Sequence, residues 1–307
     1  MENLANNIPT IDLSVFFRDG DEEAKKAAKE SLGRACAEYG FFLATNHGIP
    51  SDLMSRAMEL CQTFFGLADE EKLKSRPRGG GSVPAGYTKQ PEQSPDKNEY
   101  FAMLQPQISF NNLPENPPGF RAALEEIFTH FSKTGEVTES IINDYLGLPP
   151  NFLKEYNNDR SWDWMNVKHY FPATETENVG ISSHKDGNAI TFVFQDEVGG
   201  LEVLWNGQWI PIVPSKGTLV VNVLTNEKLK SALHRVTRPK GRSRYSISFF
   251  YNLQGDKLVE PFPHFTTQIG EPPKYKGFLY KDYQALRIKN KINPPYKEIG
   301  IDHFAII

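Results

Sequence analysis

Apolar positions recur every three to four residues through most of the first 160 residues, and every second residue after Trp164. Ala24, Ala28, Leu32, Ala35, Cys36 and Tyr39 fall on one helical face. Asp21 stands where it can cap that helix, Glu22 and Glu23 sit near its positive end, and Gly40 can close it. Phe41 to Thr45 reads as a short buried strand. Ser51 opens a second helix that carries Leu53, Ala57, Met58, Leu60, Cys61, Phe64 and Phe65 inward. A third, long helix begins near Pro118, with Leu124, Ile127, Phe128, Phe131, Ile141, Ile142 and Tyr145 on its inner face. Between the last two, residues 76–87 hold a tri-glycine flanked by prolines, the composition of a connector bordering a binding site.

From Trp164 the pattern predicts strands: Met165 to Tyr170, Ala189 to Phe194, Gly200 to Leu204, Ile210 to Val213, Thr218 to Asn222, Ala232 to Thr237 and Tyr245 to Tyr251. Asn206-Gly207 between two β-runs is a strong hairpin signal. Short strands at close spacing with Gly and Pro punctuation give a sandwich or barrel in place of βαβ units. The fold class expected is α+β, with helices packed outside a β-sandwich core. The division expected is a helical N-terminal region over 1–160, a β core over 161–260 and a C-terminal strand and helix segment over 261–307.

Composition narrows the function. The 307 residues, 39% of them hydrophobic, can bury a substantial core. Thirty-four basic against 38 acidic residues leave a net charge of −4, which argues against a nucleic-acid binder acting by phosphate neutralisation. No run of 18 apolar residues exists to span a membrane. The first residues lack the basic-then-apolar pattern of a signal peptide. Cys36 and Cys61 both fall in helical patterns and read as buried thiols of a reduced compartment. The expectation is a soluble, cytoplasmic protein.

Chemistry concentrates in two places. In His184-Lys185-Asp186, a strand would turn the imidazole and the carboxylate to one face and Lys185 to the other. A strand-edge polar pair has the same appearance. His234, on the strand-like Leu233 to Val236, could add a third ligand, and two histidines with one carboxylate form the facial triad of non-haem Fe(II) oxygenases. Ten residues later, Arg244-Tyr245-Ser246 again aligns two polar groups, a guanidinium and a hydroxyl able to clamp a carboxylate. An internal salt bridge would satisfy the arginine equally well. Beside a metal site, a dicarboxylate co-substrate explains it better.

On these residues the chain resembles the plant-type 2-oxoglutarate- and Fe(II)-dependent dioxygenases, the isopenicillin N synthase-like superfamily, nearly end to end. Pro9 to Leu13 and Tyr39 to Pro50 are similar to that family's N-terminal region. Val179 through Gly200-Leu201-Glu202-Val203 to Leu233-His234-Arg235-Val236 and Arg244-Tyr245-Ser246 resemble its catalytic jelly roll (a double-stranded β-helix), and Tyr280 to Tyr283 its C-terminal helix. The resemblance implies Fe(II) at His184, Asp186 and His234. It implies 2-oxoglutarate at Arg244 and Ser246, with Tyr170 reaching it, and ascorbate as an activator. Family members often carry Asn at the position of Lys168 and Pro at that of Phe171.

The resemblance also implies the reaction. Oxygen and 2-oxoglutarate are consumed, succinate and carbon dioxide leave, and a small hydrophobic plant metabolite is hydroxylated, desaturated or demethylated by a monomer with no nucleic-acid or membrane partner. Flavonoids, alkaloids, phenolics and hormones all qualify. Tyr100, Phe101, Phe110, Phe249 and Phe250 are the candidate pocket walls, each also explicable as core packing. Counting by twos from Arg244 puts Phe250 with the clamp and Phe249 on the opposite face.

One departure from the family pattern stands out. After Gly217 to Asn222 the family continues with Val-Gly-Asp and a short amphipathic segment, whereas here Asn222 runs directly into Val223-Leu224-Thr225-Asn226-Glu227-Lys228. Only residues 187–233 separate Asp186 from His234. Three readings follow: an active 2-oxoglutarate dioxygenase, a relative of the ascorbate-dependent oxidases, or a binding or regulatory protein whose shortened connection has displaced the iron site.

Overall fold

The computed structural model describes residues 8–79, 85–223, 229, 231–292 and 300–306. Helix α1 spans Glu22–Glu38, and Asp21 accepts a hydrogen bond from the Ala24 amide at its start. Gly40, with φ +79°, leaves that helix in the left-handed region that glycine tolerates. Helix α2 (Ser51–Phe65), α3 (Asp69–Leu73), α4 (Phe120–Tyr145) and α5 (Phe152–Tyr156) follow, and α6 (Tyr280–Ile292) comes near the end.

Twelve strands carry the β architecture: β1 (Thr10–Asp12), β2 (Phe41–Thr45), β3 (Gly86–Lys89), β4 (Asn98–Leu104), β5 (Trp164–Tyr170), β6 (Val179–His184), β7 (Ile190–Gln195), β8 (Leu201–Trp205), β9 (Gln208–Pro211), β10 (Leu219–Val223), β11 (His234–Thr237) and β12 (Arg244–Tyr251). Eight form one sheet in the order β1-β2-β10-β7-β12-β5-β4-β3, and four form a second in the order β6-β11-β8-β9. The Asn206-Gly207 turn, with both residues at positive φ, joins β8 to β9.

Alternation along each strand of the large sheet separates two buried layers. On one face Phe101, Met103, Val167, Phe192, Ile247 and Phe249 pack with Phe64 of α2 and Leu124, Phe128 and Phe131 of α4. On the other, Phe41, Tyr170 and Val220 pack with Leu201, Val203 and Val236 of the small sheet. The site lies on this inner face, between the sheets.

The N-terminal third is not a purely helical layer. β1 and β2 extend one side of the central strands and β4 and β3 the other. Residues 80–84 of the glycine-rich connector lie outside the described residues, and Gly86 already opens β3. A Cβ at Gly86 would come within 2.4 Å of the Ser75 carbonyl oxygen, so that crossing requires glycine.

Candidate metal centre and carboxylate clamp

His184 ends β6 and His234 begins β11, and these strands are hydrogen-bonded neighbours that pair the two histidines directly. Their rings stand 4.3 Å apart. Asp186 lies two residues past the end of β6, not on the strand as the i, i+2 reading required, so its convergence with His184 is made by the turn that leaves the sheet. Its Oδ1 is 3.6 Å from Nε2 of His184 and 3.7 Å from Nε2 of His234. One ligand atom from each of the three lies within 4.8 Å of the others, a spacing that can hold one metal ion.

The surroundings fix the ligand atoms. Nδ1 of His184 donates to the Ser182 carbonyl at 2.8 Å, and Nδ1 of His234 donates to the Ala232 carbonyl at 3.1 Å, leaving both Nε2 lone pairs for a metal. Oδ2 of Asp186 accepts from the Thr191 hydroxyl at 2.6 Å, and Thr191 is itself met by Asn188 Nδ2 at 2.7 Å. Burial penalises the Asp186 carboxylate, yet the His234 and His184 imidazoles and the Thr191 hydroxyl outweigh it and hold the group well below the usual carboxylate range. Burial also pushes His234 below its ordinary value, against the pull of Asp186. Ionised carboxylate and neutral imidazole are the states that ligate a metal.

The residues expected to form the clamp lie on β12 and β5. Arg244 and Tyr170 are register partners, and the guanidinium sits 4.6 Å from the tyrosine ring centroid. Tyr170 Oη and Ser246 Oγ lie 3.3 Å apart. Arg244 is 1% exposed; its Nε donates to the Gly199 carbonyl at 2.5 Å and its Nη2 to Gln195 Oε1 at 3.0 Å. Its Nη1 is buried with no partner, and among the described residues no carboxylate reaches ion-pair distance of the guanidinium. The internal salt bridge that could have explained this arginine is therefore absent among them. An unsatisfied buried guanidinium nitrogen costs free energy that an incoming carboxylate would recover. The residue after Gly199, Gly200, packs against β11 so closely that a Cβ there would stand 2.3 Å from the Thr237 carbonyl oxygen.

Of the pocket candidates, Tyr100 and Phe250 share the inner face: Tyr100 pairs with Lys168, Phe250 pairs with Trp164, and the Phe250 and Trp164 rings stack at 4.1 Å. The other three are corrected. Phe101 and Phe249 point to the helical side, where Phe249 stacks on Phe131 at 5.3 Å and Phe101 meets Phe64 and Phe120. Phe110 is exposed in a loop. Thr191, Asn188, Gln195 and Gly199, which support the centre and the clamp, were not singled out from the sequence. For Thr191 and Gln195 the only signal is polarity on the inner face of β7, whereas Asn188 and Gly199 lie outside the strands and carry no local signal.

Two families match the chain. The non-haem dioxygenase in morphine synthesis N-terminal family covers residues 8–121, and the 2OG-Fe(II) oxygenase superfamily covers residues 161–253. A 2-oxoglutarate-dependent dioxygenase from Oryza sativa subsp. japonica is 30% identical, over 94% of this chain and 88% of its own. A flavonol synthase/flavanone 3-hydroxylase from Matthiola incana is 31% identical, over 93% and 97%. This chain belongs to the 2-oxoglutarate- and Fe(II)-dependent dioxygenases. The fold agrees: a full-length Neurospora crassa protein solved with alpha-KG superposes with a TM-score of 0.83 at 25% identity, covering 94% of this chain and 99% of that one. As a dioxygenase of this family the protein uses Fe(II) and 2-oxoglutarate, and ascorbate activation is typical of its relatives. Among the described residues, no helix is long and apolar enough to cross a membrane.

Proposed function

We propose that His184, Asp186 and His234 hold the Fe(II), that Arg244 and Ser246 receive the distal carboxylate of 2-oxoglutarate, and that Tyr170 closes over it. The two facing sheets are then the halves of a double-stranded β-helix, and the working division of the chain stays at 1–160, 161–260 and 261–307. One observation carries the reading. Among the described residues, a fully buried arginine keeps one nitrogen without an acceptor, in a fold that also brings together a convergent His-Asp-His set.

The chain's own residues supply placement. Ser182 and Ala232 orient the imidazoles, Thr191 orients the carboxylate, and Gly199 and Gln195 fix the guanidinium so that its free edge is presented without rearrangement. Bound Fe(II) supplies oxygen activation coupled to conversion of 2-oxoglutarate into succinate and carbon dioxide. Tyr100, Trp164 and Phe250 give the inner face apolar rings against which a small hydrophobic metabolite is held while water is excluded. Hydroxylation, desaturation and demethylation are all within reach of that arrangement, and a monomer contains all of it.

The shortened connection after Asn222 falls on residues 224–228 and 230, which lie outside the described residues. His234 nonetheless stands in register with His184 and 3.7 Å from Asp186, which favours the active enzyme over the displaced-site reading. The test is substrate-free turnover: Fe(II)-dependent formation of succinate from 2-oxoglutarate. It is expected in the native protein and strongly reduced in Arg244→Ala. Turnover that needs ascorbate but not 2-oxoglutarate would overturn the assignment of the clamp.

A further inference from the structure

The three members of the His-Asp-His set are held by different means. His184 and His234 stand opposite each other on paired strands, so the β6–β11 ladder fixes their backbones. Asp186 lies beyond the end of β6, and the main chain rejoins the large sheet at Ala189, whose amide donates to the Tyr251 carbonyl at 3.1 Å. Between them Gly187 and Asn188 are buried outside any strand. Thr191 orients the Asp186 side chain, but a carboxylate is only as well placed as the backbone that carries it.

That backbone is gripped from α6. Nε2 of Gln284 donates to the Gly187 carbonyl at 2.9 Å and to Tyr280 Oη at 2.5 Å, one amide proton to each. The buried Tyr280 hydroxyl lies 3.0 Å from the same carbonyl and 2.6 Å from Asn252 Oδ1, so its one proton is shared between two acceptors. Asn252 is itself fixed: its amide donates to Asp163 Oδ1 at 2.7 Å, and its Nδ2 donates to the carbonyls of Trp162 and Phe250 at 2.8 and 3.0 Å. Tyr280, Gln284 and Arg287 follow the i, i+4, i+7 spacing of one helical face, and all three meet Gly187. A Cβ at Gly187 would fall 2.4 Å from Cδ and Nε of Arg287, so the helix approaches the turn where no side chain intervenes.

Docking a helix onto a sheet needs buried carbonyls to be paired, and many positions would serve. Here the bonds converge on the residue covalently joined to a metal ligand. We infer that Tyr280 and Gln284 are positioning residues for the metal centre, holding the Gly187 carbonyl so that Asp186 Oδ1 stays turned towards the two Nε2 atoms. The inference rests on the proposed metal assignment and adds to it a support supplied by the C-terminal helix. Backbone and side chain of Asp186 are then fixed separately, the first by α6 and the second by Thr191.

The test uses the full metal-free chain titrated with Co(II) alone under argon and followed by visible absorption, alongside thermal melts without metal. Tyr280→Phe and Gln284→Met keep size and remove the hydroxyl and the amide. Each should weaken Co(II) binding about tenfold, the lower end of what outer partners of a metal ligand are worth, and should alter the cobalt spectrum. The double variant should lose little more than the weaker single, because both act through one carbonyl. Gln284 is only half-buried, so its variant reads the effect even where loss of the Tyr280 hydroxyl costs the fold. Tyr251→Phe is the comparison. It removes another buried tyrosine hydroxyl, bonded to Glu139 at 3.0 Å on the helical side, and should lower thermal stability with native Co(II) affinity and spectrum. Tyr280→Phe and Gln284→Met proteins that melt earlier but bind Co(II) as the native protein does would overturn the inference. So would equal weakening in Tyr251→Phe, since metal affinity would then follow stability alone. A native protein that binds no Co(II) would overturn the metal assignment itself, and this inference with it.

Discussion

Arg244 and Tyr170 face each other across the β12–β5 ladder, with the guanidinium 4.6 Å from the ring centroid and one of its nitrogens left without an acceptor. Two of its three nitrogens are spent on holding it in place, and the third is the one proposed to meet the co-substrate carboxylate. Arg244→Lys keeps the charge but loses the fork. Arg244→Ala removes the charge as well, and truncating one partner of a buried charged pair costs about 2–5 kcal/mol, so in that variant the KM for 2-oxoglutarate should rise on the order of 30-fold or more, and less in Arg244→Lys. Titration of succinate formation against 2-oxoglutarate reads this directly.

Thr191 acts on the metal through Asp186. Its hydroxyl holds Oδ2 at 2.6 Å and leaves Oδ1 towards the two imidazoles. Thr191→Val preserves shape and removes that hydrogen bond, and loss of such outer partners typically costs about 10–100-fold in metal affinity. The Fe(II) dissociation constant should weaken by that order while thermal stability in the absence of metal changes little.

Phe249 and Phe250 are neighbours in sequence and opposite in role. Phe249 is fully buried among Phe128, Phe131 and Phe192, so Phe249→Ala should destabilise the fold by about 3–5 kcal/mol. Phe250→Ala should leave stability closer to native and raise the substrate KM. Paired denaturant melts and kinetics separate the two outcomes.

Behind the site, Glu99 is 1% exposed and gathers Lys72 Nζ at 3.0 Å, Tyr87 Oη at 2.5 Å and His169 Nδ1 at 2.8 Å. Burial opposes its ionisation, but the hydrogen bonds from His169, Tyr87 and Lys72 prevail and hold its carboxyl below the ordinary value of 4.5. A carboxyl lowered on folding stabilises the fold above its unfolded pKa, and that contribution is lost as pH falls through the folded one. Acid titration of stability should therefore show a steep loss below about pH 4. Glu99→Gln should flatten that limb while lowering stability at neutral pH.

The shortened connection leads to a further expectation. Since His234 already pairs with His184, inserting a Gly-Asp-containing segment after Val223 should leave Fe(II) affinity unchanged. A marked gain on insertion would return the displaced-site reading to first place.

Much of this was legible in the sequence because strand periodicity is simple. Arg244, Ser246 and Phe250 share a face, and Phe249 opposes them, by counting in twos alone. His184 and Asp186 were matched by the right residues for a wrong local reason, since a turn brings them together. β4 escaped detection because nearly every residue of Asn98–Leu104 is buried, which removes the apolar and polar alternation that marks a half-exposed strand. Phe101 and Phe110 were misplaced for the same reason: an aromatic residue gives no direction until its strand and register are known. Gln195 meets Arg244 only through tertiary pairing, which no local pattern encodes, while Thr191 reaches back five residues to Asp186 across the turn that precedes β7.

The central claim is that the His-Asp-His set and the Arg244 clamp form one working centre despite the shortened connection. Anaerobic titration of the metal-free protein with Fe(II) and 2-oxoglutarate tests it most directly, through the visible charge-transfer band of the chelate, with no need of a substrate. A band in the native protein that disappears in His234→Ala, and that requires far more 2-oxoglutarate in Arg244→Ala, is the expected result. A folded protein that develops no band would contradict the account.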